Sequence, residues 1–342
     1  MPERTNRQWL LARRPKGLVS AEDFRWVETP APEPAEGEAL VRTLYLSCDP
    51  TQRGWMAADT YLPAVKIGEP MRSIGVGEVV ASRDPALRPG QLVQGLFGWQ
   101  DYALARAGTP GAATPVVPGV PVETAMSVLG LNGLTAYFGL LEIGRPKAGE
   151  TVVVSAAAGA TGSAAGQIAR NLGCRVIGIA GGSEKCRRIV DALGFDAAID
   201  YKAEDVRERL GALCPRGVDV YFDNVGGPIL DAALANLAMR GRVVLCGGIA
   251  SYSDPSGPSG PRSYLNLIVK RGRMEGFLVF DFAPRYPEAV ARLAGWLREG
   301  KLKDEIDVVD GLENAPAALL RVFTGANRGK QLVRVAAPSH AP

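Results

Sequence analysis

Hydrophobic and polar positions change texture partway along the chain. Up to about residue 125 they form short strand-like runs, at 39–46, 75–81 and 91–96, separated by turn residues that include Pro30, Pro32, Pro34, Pro85, Pro89, Pro110, Pro115, Pro118 and Pro121. This spacing predicts a mostly β domain with many turns. Beyond it, wholly apolar runs alternate with amphipathic stretches. The runs predict strands at 151–156, 175–180, 197–199, 218–223, 242–247 and 276–280, and the stretches predict helices at 163–172, 184–193, 204–213, 229–239 and 263–271. Apolar runs without alternation suit strands covered on both faces, and helices between them imply βαβ units. The expected fold class is therefore α/β, a doubly wound parallel sheet plus a mostly β domain. Further helices are expected at 287–299 and 315–324, and a last strand at 331–335. With that last segment returning to the first domain, the expected division is 1–125 with 308–342, and 126–307.

A length of 342 residues agrees with two domains, and 46% apolar with 22% charged residues is ordinary globular material. The net charge of +3 is spread without basic runs, so nucleic acid is not an expected partner. Residues 1–17 contain no apolar core of signal-peptide length, and no stretch reaches the ~18 apolar residues of a bilayer span, so no membrane association and a cytoplasmic location are expected. The five cysteines, Cys48, Cys174, Cys186, Cys214 and Cys246, never form a C-x-x-C pair and read as reduced, mostly buried thiols. The single histidine, His340, lies in a Pro/Ser/Ala tail expected to be disordered. A Ser-His-Asp triad and a His-ligated zinc site are thereby excluded, and no metal is expected.

The sharpest local signal follows the run at 151–156. Ala156, Gly159 and Gly162 form an A-x-x-G-x-x-G turn that opens a helix. Small residues let the backbone approach a pyrophosphate, which then sits at the positive end of the helix dipole. This predicts a Rossmann domain with Ala158, Gly159, Ala160, Thr161 and Gly162 against a dinucleotide. The end of the second strand, Ile179-Ala-Gly-Gly182-Ser183-Glu-Lys185, carries no carboxylate for a ribose 2′-hydroxyl. Gly182 and Ser183 leave room for a 2′-phosphate, with Lys185 and Arg188 as sources of charge, so the expected cofactor is NADP(H).

Several further segments carry a family likeness: Leu46-Ser-Cys-Asp-Pro-Thr-Gln-Arg-Gly-Trp-Met56, Gly75-Val-Gly77, Leu134-Thr-Ala-Tyr-Phe-Gly-Leu140, Tyr221-Phe-Asp-Asn-Val-Gly-Gly227, Cys246-Gly-Gly248, Glu275-Gly-Phe277 and Gly325-Ala-Asn-Arg-Gly-Lys330. With the turn at 156–166 and Gly182-Ser-Glu-Lys185, they make the chain closely resemble the zinc-independent medium-chain dehydrogenase/reductases of the leukotriene B4 12-hydroxydehydrogenase / prostaglandin reductase branch, which includes curcumin-type and alkenal reductases. The resemblance implies a GroES-like β domain and a nicotinamide in the cleft between two domains. It further implies that Lys185 and Tyr201 hold the 2′-phosphate and that Asn224 holds the ribose region. Cys246, Gly247, Gly248, Ile249, Ser251 and Tyr252 would lie on the nicotinamide side, and Phe277, Leu278, Val279 and Asn327 would complete the cradle. Asn132, which stands where many relatives carry Pro, and Thr135 would lie near the nicotinamide. Cys48 and Asp49 sit where zinc-dependent relatives place a metal-binding Cys, and here read as a structural thiol and its neighbour. A homodimer is implied as well.

The implied activity is NADPH-dependent reduction of the C=C bond of α,β-unsaturated aldehydes and ketones, of 2-alkenal, enone or 15-oxoprostaglandin type. Hydride arriving at the β-carbon drives negative charge to the carbonyl oxygen, where a donor lowers the barrier. Tyr252, in a turn-rich loop after the fifth strand, is the preferred donor, with a ribose hydroxyl or water as alternatives. Tyr61, Trp55 and Met56 offer flat or soft apolar surface for a conjugated substrate, or else β-domain core. Residues 253–260 form a Ser/Pro/Gly loop expected to move over the site. Two other functions remain open at this point: a zinc-free NADPH:quinone oxidoreductase, and a redox-sensing protein that binds NADPH without turnover.

Overall fold

The computed structural model describes residues 4–108, 113–116, 119–254 and 260–338, and structural statements below concern those residues. Most of the loop at 253–260, and His340, lie outside them. The chain divides into two compact units, Met1–Met126 with Ile306–Pro342, and Ser127–Glu305.

The first unit is built on a seven-stranded sheet. Its centre is Ala39–Ser47, a strand buried along almost its whole length, paired antiparallel to Gly75–Ser82 and to Tyr102–Ala105. Gly75 and Gly77 have to be glycine here, because a Cβ would stand 2.9 Å from the Tyr45 carbonyl oxygen and 2.5 Å from that of Arg42. Lys330–Arg334 pairs with the far end of the central strand, Leu332 opposite Ser47 and Arg334 opposite Tyr45, and Ile306–Asp310 closes that end. A separate antiparallel pair, Thr5–Leu11 with Phe24–Pro30, goes unannounced by any alternation in the sequence.

In the second unit six parallel strands carry the labels β1 Thr151–Ser155, β2 Arg175–Ala180, β3 Ala197–Asp200, β4 Val218–Asp223, β5 Leu237–Leu245 and β6 Arg273–Gly276. Their order in the sheet is β3-β2-β1-β4-β5-β6, the doubly wound order in which ligands sit outside the carboxyl ends of β1 and β4. The helices are α1 Leu131–Phe138, α2 Ala160–Asn171, α3 Ser183–Asp191, α4 Val206–Leu213, α5 Gly227–Ala235, α6 Ile249–Tyr252, α7 Asn266–Lys270 and α8 Tyr286–Arg298. β1 is buried at every position, as its Val152–Val154 core suits a central strand.

Two expectations are corrected. The run at 276–280 is not the sixth strand. β6 ends at Gly276, and Val279–Arg285 is a 3-10 helix whose Phe282 serves helix packing, stacked on Phe138 with ring centroids 4.8 Å apart. Helix 229–239 also ends early, at Ala235. Leu237 instead pairs with Val218 and enters the apolar core of this unit, so the strand expected at 242–247 begins five residues sooner. An apolar triplet such as 237–239 fits either structure by periodicity, and strand pairing decides it.

Candidate cofactor and active site

The turn between β1 and α2 is built from the carbonyl of Ala156. That residue adopts φ 47, a left-handed conformation an L-residue reaches at a cost of roughly 1 kcal/mol, and its oxygen accepts the N–H of Gly159 at 2.9 Å. A Cβ at Gly162 would lie 2.3 Å from this oxygen, and one at Gly166 would lie 1.9 Å from the Phe195 ring. Gly159 differs from both, since a Cβ there meets only the Ala156 oxygen, at 3.2 Å. The three glycines therefore separate by role: Gly162 for the turn, Gly166 for helix packing, and Gly159 for open space before the helix N-terminus. Ala158 is buried, while Ala160 and Thr161 begin α2.

At the end of β2, Gly182 caps α3 with φ 98 and donates its N–H to Asp200 Oδ1 at 2.8 Å. Tyr201 lays its ring on Gly181, where a Cβ would come within 2.9 Å of it. Lys185, half-buried in the first turn of α3, has its ammonium pKa lowered by burial first and then by the like charges of Arg188 and Lys202. Arg188 is not available as an anion ligand in the way the sequence suggested, because its guanidinium is buried against Glu305 at 2.7 Å. Lys202 adds a further positive charge near Lys185. It follows Tyr201 directly, and only the return of β3 beside β2 brings it near Lys185.

The ends of β4 and β5 are tied through Asp223, which is almost wholly buried. Its carboxylate accepts the Tyr221 hydroxyl at 2.9 Å, Ser155 Oγ at 3.1 Å and the N–H groups of Val225 and Gly226 at 3.0 Å each. Burial raises its pKa and these donors pull it back. The Tyr221 phenol is pushed well up by burial and by Asp223. Asn224 donates its side-chain amide to the Ser155 carbonyl at 2.7 Å. Beyond β5 the segment from Cys246 passes Gly247 and Gly248 into α6, so Ile249, Ser251 and Tyr252 occupy a short helix and not the irregular loop expected. Tyr252 accepts the Gly248 N–H at 3.2 Å, and burial pushes the Cys246 thiol up to about 12, which keeps it protonated.

Asn132 on α1 donates to Thr161 Oγ1 at 3.2 Å, joining α1 to the start of α2. Thr135 Oγ1 bonds back to the Leu131 carbonyl at 2.7 Å. Phe277, Leu278 and Val279 follow β6. The Phe277 ring lies where a Cβ on Gly139 would meet it at 2.4 Å, Leu278 is exposed and Val279 is buried. Asn327, Tyr61, Trp55 and Met56 belong to the first unit. Asn327 donates to the Gly329 carbonyl at 2.9 Å. Met56 has no exposed surface and Trp55 only 3%, both within the core cluster of that unit, so Met56 is core and not substrate wall. Tyr61 is 41% exposed, its hydroxyl 2.7 Å from Thr51 Oγ1. Beside them, Lys330 donates to Ser47 Oγ and Asp49 Oδ1 at 2.6 Å each, and burial pushes Cys48 up to about 12. That thiol is packed beside an ion pair, and the described residues contain no group of three His, Cys, Asp or Glu that could hold a metal.

This donor set fits an NADP-type dinucleotide. It offers a glycine space at a helix start, a second strand whose own last residues carry no acid and which has cations beyond it, and two turns meeting beyond β4 and β5. The roles of Asp223, Tyr221, Ser155 and Lys202 were not singled out by the sequence. A buried-strand run Val220-Tyr-Phe222 that ends on an Asp is the one trace that points to the first of them.

Residues 7–111 match the family model described as the N-terminal domain of oxidoreductase, and residues 160–295 the model described as zinc-binding dehydrogenase. The NADPH-dependent curcumin reductase of Escherichia coli (strain K12) is 42% identical over 337 residues, 97% of each chain. The 2-alkenal reductase (NADP(+)-dependent) of Nicotiana tabacum is 40% identical over 342 residues, 97% of this chain and 98% of its own. The crystal structure of CurA in complex with NADPH from Vibrio vulnificus matches with TM-score 0.91 and 44% identity, covering 97% of this chain and 100% of its own.

Proposed function

The chain belongs to the zinc-independent medium-chain dehydrogenase/reductase family, in its alkenal and curcumin reductase branch, and on that premise we propose that it reduces the C=C bond of α,β-unsaturated aldehydes and ketones with NADPH. NADPH, when bound, supplies the hydride. The protein's part is to hold the dinucleotide and to receive charge. With NADPH bound, the segment 158–162 would take the pyrophosphate through the helix-start N–H groups of 160–162, Lys185 and Tyr201 would take the 2′-phosphate and Asn224 the ribose; Asn132, Thr135, residues 277–279 and Asn327 would complete the hold. As the β-carbon of the substrate takes hydride, negative charge grows on its carbonyl oxygen, and the Tyr252 hydroxyl donates to that oxygen. What carries this assignment is the Gly248 N–H on the Tyr252 phenol oxygen, because a donor received there makes the phenol a stronger donor in turn. Tyr61 supplies aromatic contact to a conjugated substrate, 15-oxoprostaglandins included.

A homodimer and a cytoplasmic location are part of the same proposal. β6 is an edge strand of its sheet, and Tyr264, Leu265, Ile268 and Val269, in the segment leading into it, are exposed by 54–73%, apolar surface that a second copy would cover. All five cysteines are free thiols, as a reducing compartment keeps them.

Loss of NADPH absorbance with trans-2-nonenal, curcumin and benzoquinone tests the activity. Saturated aldehyde or ketone as product supports the proposal. Turnover confined to the quinone, or tight NADPH binding with no turnover on any acceptor, overturns it.

A further inference from the structure

Five consecutive backbone amides, 246–250, lead into the helix that carries Tyr252, and each has one partner. Cys246 and Gly247 donate to the Asp223 carbonyl at 2.9 and 3.0 Å, Ile249 to the Asn224 carbonyl at 3.3 Å, and Ala250 to the Val225 carbonyl at 3.0 Å. Gly248 alone donates to the Tyr252 phenol. A four-residue helix cannot satisfy its own first N–H groups, so the carbonyls of 223–225 hold this segment in place. Those carbonyls point where they do because the next turn is tight, with Gly226 at φ 72 and Gly227 at φ 54. The turn is gripped from inside by the Asp223 carboxylate on the N–H groups of Val225 and Gly226. Tyr221 and Ser155 fix that carboxylate from below the sheet end.

We infer that Asp223 is the positioning residue of this site: its carboxylate sets the 224–226 turn, whose carbonyls in turn fix the segment bearing Tyr252. Asp223 touches no reacting atom in this scheme and acts through the turn. A carboxylate suits the place because every group facing it is a donor. An amide would set N–H groups against the Gly226 N–H, which lies 3.2 Å from Oδ2. The kinetic part of the test below rests on the proposed role of Tyr252; the exchange part does not.

Amide hydrogen exchange of the full-length protein, followed by mass spectrometry, reads the positioning directly. In Asp223→Asn, amides 246–250 should exchange about tenfold faster or more, with the β1 amides unchanged. Equal protection of 246–250 in mutant and wild type overturns the inference. So does a loss of protection shared by β1, which would mark a general stability role. The second readout is a double-mutant cycle on kcat. Asp223→Asn should lower kcat about tenfold in the wild type and no more than about twofold in a Tyr252→Phe background. Equal factors in both backgrounds overturn the coupling to Tyr252. Should Tyr252→Phe alone keep wild-type turnover, the proposed donor falls and the exchange result decides the positioning inference by itself. Tyr221→Phe, which removes one donor and keeps the carboxylate, should move both readouts in the same direction by less, and serves if Asp223→Asn does not fold.

Discussion

The phenol oxygen of Tyr252 accepts the backbone N–H of Gly248 at 3.2 Å, so one short helix carries the hydroxyl and its N-cap residue supplies the group that polarises it. Removing only the hydroxyl separates chemistry from packing. Tyr252→Phe should lower kcat by about tenfold to a thousandfold, the range for loss of one donor to a developing oxyanion, with KM for NADPH nearly unchanged. Steady-state kinetics with an enal decide it, and unchanged kcat would hand the role to a ribose hydroxyl or water.

The glycines of the first turn should respond differently to one added methyl. Gly159→Ala meets only the Ala156 oxygen, at 3.2 Å, so the fold should keep its melting temperature while NADPH binds about tenfold or more weakly. Gly166→Ala drives a methyl into the Phe195 ring and should cost stability of about 1–3 kcal/mol with little change in affinity once folded. Thermal unfolding with NADPH titration separates the two. A Gly159→Ala protein that binds NADPH normally would remove the pyrophosphate from this turn.

Legibility in the sequence followed the range of the interactions involved. Strands 175–180 and 218–223 and helix 315–324 stand where the apolar pattern put them, since their burial is written into consecutive residues. The run at 276–280 reads as a strand in the sequence because the partner of the segment that follows it is distant: only the stacking of Phe138 on Phe282 reveals a helix-packing role. The Thr5–Leu11 strand was missed for a related reason, its face being organised by Trp9 edge-on to Trp26 at 5.1 Å rather than by alternation. Within the site, the Ala156 to Gly162 turn was readable because its geometry is local. Asp223 was not, because its partners come from 155, 221 and 225–226 and its carbonyl serves 246–247, a convergence that exists only once β1, β4 and β5 lie side by side.

Lys185 sits among like charges, and the sign of its pKa shift makes a test. Burial and the charges of Arg188 and Lys202 hold its ammonium below the ordinary lysine value of 10.5. Between the lowered folded value and the unfolded one the unfolded chain binds more protons, so stability rises with pH there; below the folded value the penalty is complete. Lys185→Met should therefore be more stable than the wild type at neutral pH without NADPH, and that gap should close as pH rises toward 10.5. The same substitution should cut the kcat/KM preference for NADPH over NADH about tenfold or more, the worth of a charge-assisted hydrogen bond. Thermal melts across pH and paired cofactor kinetics measure these effects, and an unaltered preference would take Lys185 out of the 2′-phosphate site.

The apolar surface beside β6 makes the strongest demand on assembly. Ile268 is 73% exposed and Val269 62%, on the helix that leads into β6, one of the two edge strands of the six-stranded sheet. Covering a side chain of this size is worth about 1.5–3 kcal/mol, and several together make association favourable, whereas an unpaired carboxylate at the same place must be desolvated on docking. Light scattering at micromolar concentration should give the mass of two chains for the wild type and of one chain for Ile268→Asp. Ile67→Asp provides the control: Ile67 is also exposed, at 51%, but belongs to the first unit and not to the proposed surface, so its substitution should leave the mass of two chains intact. Wild-type protein at the mass of one chain would remove the second copy from this surface, and dissociation by both substitutions would place the interface elsewhere.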